Sequence, residues 1–93
     1  TIIVQNNKKD TVGIITDGQI RRFNETSTNL QSQTVKKIMT KNPVSIDKET
    51  LAEKALSIMN TKKITSLCVH NQKKINKTIG ILHIHSILQS NIH

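Results

Sequence analysis

Ile3-Val4-Gln5-Asn6-Asn7-Lys8-Lys9 near the start of the chain is matched by Cys68-Val69-His70-Asn71-Gln72-Lys73-Lys74 near its end. After a two-residue length difference, Val12-Gly13-Ile14-Ile15 is matched in the same way by Ile79-Gly80-Ile81-Leu82. A recurring order of apolar run, polar turn and apolar run marks one supersecondary unit used twice. Each copy predicts strand, turn, strand, helix, with Gly followed by apolar residues and then by helical spacing. The first helix is expected from about Gly18 to Asn24, on the i, i+3 pair Ile20 and Phe23. The last carries Ile84, Ile87, Leu88 and Ile92 as an apolar stripe, expected to be core.

Between the copies, residues 24–34 are Asn, Glu, Thr, Ser and Gln with Leu30 the one apolar residue, the composition of a linker. Val35 to Thr40 then reads as a short amphipathic helix. Asn42-Pro43 breaks it, because Pro lacks an amide hydrogen and pushes its predecessor out of helix. Val44-Ser45-Ile46 is a short extended run. Thr50-Leu51-Ala52-Glu53 has capping-box spacing, with the hydroxyl accepting from the Glu53 amide and the carboxylate accepting from the Thr50 amide. Leu51, Ala52, Ala55, Leu56 and Met59 form the expected apolar face of a helix ending near Asn60 to Lys63. The second copy therefore reads short helix, β, α, β, β, α. The first holds only the last β, β, α, and a missing front half is expected upstream. The opening Thr1-Ile2-Ile3-Val4, strand-like and without an initiator Met, also reads as part of something longer.

Ninety-three residues suggest one compact domain at most, of limited stability. Apolar residues are 34% of the chain and Phe23 is the one aromatic, so the core must be built from branched aliphatic side chains. The formal charge of +8, from 14 Lys+Arg against 6 Asp+Glu, raises the question of a polyanion partner. The basic residues are scattered, however (Lys8-Lys9, Arg21-Arg22, Lys36-Lys37, Lys62-Lys63, Lys73-Lys74), and aromatic stacking platforms are lacking. A solvated Lys/Asn-rich surface is the better reading, and nucleic-acid binding ranks last. Cys68, in the run Leu67-Cys68-Val69, is expected to be a buried small hydrophobe. No apolar stretch approaches the ~20 residues of a membrane span, and no signal peptide is visible. No Ser/His/Asp or Cys/His arrangement is supported by spacing, which leaves a hydrolase without candidates. His83 and His85, two apart, do not share a helix face and have no Cys or carboxylate nearby, so no metal site is expected. His70 and His93 carry no specific signal.

The segment Val35-Lys36-Lys37-Ile38-Met39-Thr40-Lys41-Asn42-Pro43-Val44 resembles the opening of a CBS domain. The resemblance continues through Thr50-Leu51-Ala52-Glu53-Lys54-Ala55-Leu56, Ser66-Leu67-Cys68-Val69 and Ile79-Gly80-Ile81-Leu82. It implies an α/β (α+β) fold, a CBS-domain pair of two small three-stranded sheets with flanking helices packed pseudo-symmetrically through their sheets. Residues 1–25 would be the second half of a first module, 26–34 a linker and 35–93 a complete second module. Gly13-Ile14-Ile15-Thr16-Asp17-Gly18-Gln19-Ile20-Arg21-Arg22 is similar to the corresponding segment of D-arabinose 5-phosphate isomerases. In that family a catalytic sugar isomerase (SIS) domain is followed by a CBS pair, and the enzyme serves synthesis of Kdo, a lipopolysaccharide sugar. The resemblance implies a regulatory and oligomerising piece without catalytic residues, cytoplasmic, homodimeric through its CBS modules, with the SIS domain upstream; the alternatives are a purely structural dimerisation module that binds no ligand, or the CBS module of another enzyme.

It also implies an effector cleft, for an adenine nucleotide or a CMP-sugar. There a Gly strand end brings backbone close to the ligand, and a hydroxyl residue begins a helix whose free amides favour phosphate. Three positions later a carboxylate accepts both hydroxyls of a ribose. The candidate contacts are Gly13, Thr16, Asp17 and Gln19 in the first copy and Gly80, His83 and Ser86 in the second. Gln19 stands in place of the carboxylate and is a poorer acceptor for a diol, although it can close a capping box with Thr16. Asp17 points about 200° away from Gln19 around the helix. His83 replaces the hydroxyl residue and Ser86 the carboxylate, so neither copy keeps the full ribose motif.

Overall fold

A computed structural model describes residues 1–26 and 34–90. The expected linker therefore falls largely outside the described residues, as does Ile92. The chain divides into two compact units, residues 1–43 and 44–93.

The first unit begins with the hairpin of β1 (Ile2–Gln5) and β2 (Thr11–Ile15). Asn6 closes the turn. Its Oδ1 accepts from the Lys8 amide at 2.9 Å and from the Asp10 amide at 3.0 Å, while Lys9 takes a positive φ of 64°. The helix α1 (Asp17–Thr26) follows. After it come α2 (Val35–Ile38) and β3 (Thr40–Lys41), where Pro43 and the left-handed Asn42 (φ 50°) end the segment. The sequence does not announce β3 as a strand. It lies antiparallel on β2, with Gly13 opposite Lys41 and Ile14 opposite Thr40, so the sheet order is β1-β2-β3. Ile14 and Ile15 are buried in this unit.

The second unit is built from β4 (Ser45–Asp47), α3 (Ala52–Lys62), β5 (Ser66–His70), β6 (Thr78–His83) and α4 (Ile84–Ser90). β4 runs parallel to β5, which the crossover through α3 requires, and β6 returns antiparallel. The repeat is visible in the register. Val4 pairs with Gly13 and Val69 with Gly80, and a bulge follows directly in both hairpins, at Val4/Gln5 and at Val69/His70. Strand alternation sends Leu67 and Val69 to the helix side of the sheet, where Ile46, Ala55, Met59, Leu67 and Ile87 form the core. Ser66, Cys68 and His70 occupy the opposite face and are also buried. Cys68 is thus the buried residue that the sequence predicts, and burial pushes its thiol pKa up.

Three local expectations need correction. The Thr50–Glu53 capping box does not form, because Leu51 is the N-cap of α3 and has no side-chain cap bond. Asp47 takes over that turn: its carboxylate accepts from the Glu49 amide at 2.8 Å and its carbonyl from the Thr50 amide at 3.0 Å, which moves the helix start one residue on. Leu51 is accordingly 75% exposed and Ala52 is exposed, so the buried face of α3 is Ala55 and Met59, with Leu56 and Ile58 partly covered. Leu88 is likewise exposed, leaving Ile87 as the buried anchor of α4, with Ile84 partly buried. The end of α3 falls where expected, with Lys63 left-handed at the C-cap and the Ile64 amide donating to the Met59 carbonyl.

Candidate functional site

The two strand-to-helix junctions, Gly13 to Gln19 and Gly80 to Ser86, carry the residues that the sequence singles out. In the first, Thr16 and Gln19 form the reciprocal capping box that their spacing predicts. The Gln19 amide donates to Thr16 Oγ1 at 3.2 Å, and the Thr16 amide donates to Gln19 Oε1 at 2.8 Å. The Thr16 hydroxyl also donates to Oε1, at 3.3 Å. The other end of the side chain is engaged as well, because Gln19 Nε2 donates to Thr40 Oγ1 of β3 at 2.7 Å. Both polar atoms of the Gln19 side chain are therefore bonded within the first unit. Asp17 stands exposed at the first position of α1.

Gly13 has a packing reason to be glycine. A Cβ there would lie 2.5 Å from Met39 Sδ, 2.8 Å from Met39 Cγ and 2.9 Å from the Thr40 carbonyl oxygen. The residue joining α2 to β3 thus lies directly over the β2 backbone.

In the second junction His83 is half-buried at the end of β6, and its Nδ1 is 3.0 Å from Ser66 Oγ on the paired position of β5. Ser86 is exposed in the first turn of α4. Gly80 lines a cleft of about 380 Å³ on the helix side of the sheet. Ile46, Val69, Leu82 and Ile87 make its apolar floor, while Asp47 and Lys48 bring charge to it. His83 and Ser86 are not among its walls, so the three residues expected together in the second copy do not share this cleft.

Sequence reasoning missed His70 and Asp47. His70 is 7% exposed and its Nδ1 lies 2.6 Å from Ser45 Oγ, a second Ser–His pair on the same sheet face as Ser66–His83. The strand alternation Ser66-Cys68-His70 is the signal that could have placed it on a buried face. Asp47 ties the unit together at its cleft end. Besides the Glu49 amide it accepts from the Gln72 amide at 2.6 Å, and these two amides hold its carboxyl below the ordinary carboxylate range. Nearby His70 and Lys48 act in the same direction.

The family model of the CBS domain matches residues 35–92. The chain belongs to the CBS-domain family. The match starts at α2, so a CBS domain as the family defines it includes the α2–β3 leader that packs here on the first unit. Among curated proteins, this CBS chain is 38% identical over 90 residues to the uncharacterized protein RP505 of Rickettsia prowazekii, covering 97% of the chain and 27% of that protein. It is 36% identical over 89 residues to the arabinose 5-phosphate isomerase KdsD of Francisella tularensis, covering 96% of the chain and 26% of that protein. The chain therefore spans about a quarter of the length of these relatives. Among solved structures, the CBS domain pair of protein MJ0100 in complex with 5′-methylthioadenosine and S-adenosyl-L-methionine aligns with a TM-score of 0.79. At 19% identity over 96% of this chain and 67% of that one, it shows the shared CBS fold.

Proposed function

We propose that this CBS chain is the regulatory and oligomerising part of a sugar-phosphate isomerase acting on arabinose 5-phosphate. The observation that carries the reading is the 36% identity to an arabinose 5-phosphate isomerase across 96% of the chain but 26% of the enzyme. On this reading the chemistry belongs to an upstream SIS domain, and the CBS residues set how catalytic subunits associate and respond in the cytoplasm. Homodimerisation through the CBS modules follows from the same reading.

A regulator works by binding its effector more tightly in one arrangement of its parts than in another. The effector class we assign is an adenine nucleotide or a CMP-sugar, with contacts at Gly13, Thr16, Asp17 and Gln19 and at Gly80, His83 and Ser86. The adenosyl ligands of the MJ0100 pair support the nucleotide class. Gln19 suggests how binding would be felt. A ligand diol that draws on the Gln19 amide competes with its bond to Thr40, and so with the seating of β3 on β2. The Gln19 bonds also favour a second reading, in which the module only holds subunits together and no ligand enters.

Thermal denaturation of the chain in the presence of adenine nucleotides, CMP, CMP-Kdo and sugar phosphates separates the two. A ligand at one hundred times its Kd stabilises the folded state by about 2.7 kcal/mol. The regulatory reading expects a reproducible rise in Tm with one of these compounds. A cooperative melt that none of them moves would leave the structural reading standing.

A further inference from the structure

Hydrogen-bond accounting at the first junction fixes which polar groups there remain to act. The Thr16 amide can only donate, so the Gln19 side-chain atom 2.8 Å from it is the oxygen. The nitrogen therefore faces Thr40. An amide nitrogen can only donate, so Thr40 Oγ1 is the acceptor of that 2.7 Å bond. The accepting end of Gln19 is taken by the Thr16 amide and by the Thr16 hydroxyl, at 2.8 and 3.3 Å. What is left over is donors. Gln19 Nε2 keeps its second N–H and Thr40 keeps its O–H, and neither has a further partner among the described residues. Thr40 is exposed on the edge strand β3 and Gln19 is half-buried, so a solute can reach the pair. Arg22, exposed one helical turn after Gln19, adds positive charge on the same face of α1.

We propose that Gln19 and Thr40 form the anion-reading end of this junction: a carboxylate or phosphate group of the effector accepts from Gln19 Nε2 and Thr40 Oγ1 together. The proposal rests on the reading that an effector enters the first junction, and it names which part of the effector lies here. A carboxylate in place of Gln19 would accept from a ribose diol and repel an anion, and the amide reverses both preferences. Hydrogen bonds to a charged acceptor are about twice as strong as neutral ones, so the pair discriminates an anionic oxygen from a hydroxyl. The bond between the two side chains is kept. An anion held by both therefore clasps α1 to β3 and steadies β3 on β2, whereas a diol that took the Gln19 amide for itself would loosen it.

The test is a chemical-shift titration of the isotopically labelled chain with matched probes. AMP and CMP are set against adenosine and cytidine, which lack the phosphate, and Kdo against its methyl ester, which lacks the free carboxylate. An anionic probe is expected to shift the Gln19 side-chain amide and the Thr40 amide saturably, and to bind about tenfold more tightly than its neutral match. Which match shows the difference tells phosphate from carboxylate. Gln19→Glu keeps the capping box with Thr16 but makes the Thr40 hydroxyl a donor to the new carboxylate, so both free donors are lost. That variant should melt as the parent does and bind the anion about tenfold more weakly. Thr40→Val removes one donor and should weaken binding by a smaller factor. Neutral probes binding as tightly as anionic ones, or unchanged affinity in Gln19→Glu, would overturn the proposal and leave the effector reading standing. No saturable shift at Gly13 to Gln19 with any probe would overturn both.

Discussion

Leu67→Ala lowers the stability of the second unit by about 2–5 kcal/mol, the cost of leaving a cavity where a buried leucine stood. Leu67 is fully buried (0% exposed) on the central strand β5, against Ile46, Ala55, Met59 and Ile87. A small domain of this size holds only about 5–15 kcal/mol in all, so the variant sits close to unfolding at room temperature. Urea denaturation should show a lower midpoint at an unchanged slope. Leu51→Ala is the control. Sequence spacing puts Leu51 on the apolar face of its helix, but its 75% exposure predicts a change within about 0.5 kcal/mol. Equal losses for the two variants would refute the assignment of the core.

Gly13→Ala has the second largest effect. The new methyl would stand 2.5 Å from Met39 Sδ and 2.9 Å from the Thr40 carbonyl oxygen. The methionine side chain can swing away, but the carbonyl belongs to β3, which is fixed by pairing to β2. Overpacking of this kind costs about 1–3 kcal/mol, or roughly 4–8 °C in Tm per kcal/mol for a domain of this size. Adding Met39→Ala should recover only part of the loss, because the backbone clash remains. A Gly13→Ala chain that melts with the parent would show that β3 does not press on β2 as described.

The repeat was legible in the sequence because both copies place Gly, apolar pair and helix start at the same offsets. The shared register and the shared bulge are the structural form of that likeness. The first capping box was legible for the same local reason: Thr16 and Gln19 need only each other. The second failed because its outcome is not local. Asp47, three residues before Thr50, captures the turn with the help of the Gln72 amide from a distant hairpin, and no spacing rule contains that partner. β3 escaped for a like reason. Two residues after a short helix carry no strand signal, and only the edge of β2 makes them one. At the candidate site, residue identity located the two junctions but not the bonds made there. That Gln19 reaches across to Thr40, and that His70 is buried beside Ser45, depends on tertiary placement.

The central proposal is that these residues regulate and assemble an isomerase without performing its chemistry. The most direct test is to delete residues 1–93 from the parent polypeptide. Interconversion of ribulose 5-phosphate and arabinose 5-phosphate is then measured, with oligomeric state and with response to nucleotides and CMP-Kdo. The account predicts that turnover per catalytic domain persists while the assembly becomes smaller and any effector response disappears. Loss of turnover in a truncated protein that remains folded, or a parent polypeptide with no isomerase activity, would contradict it.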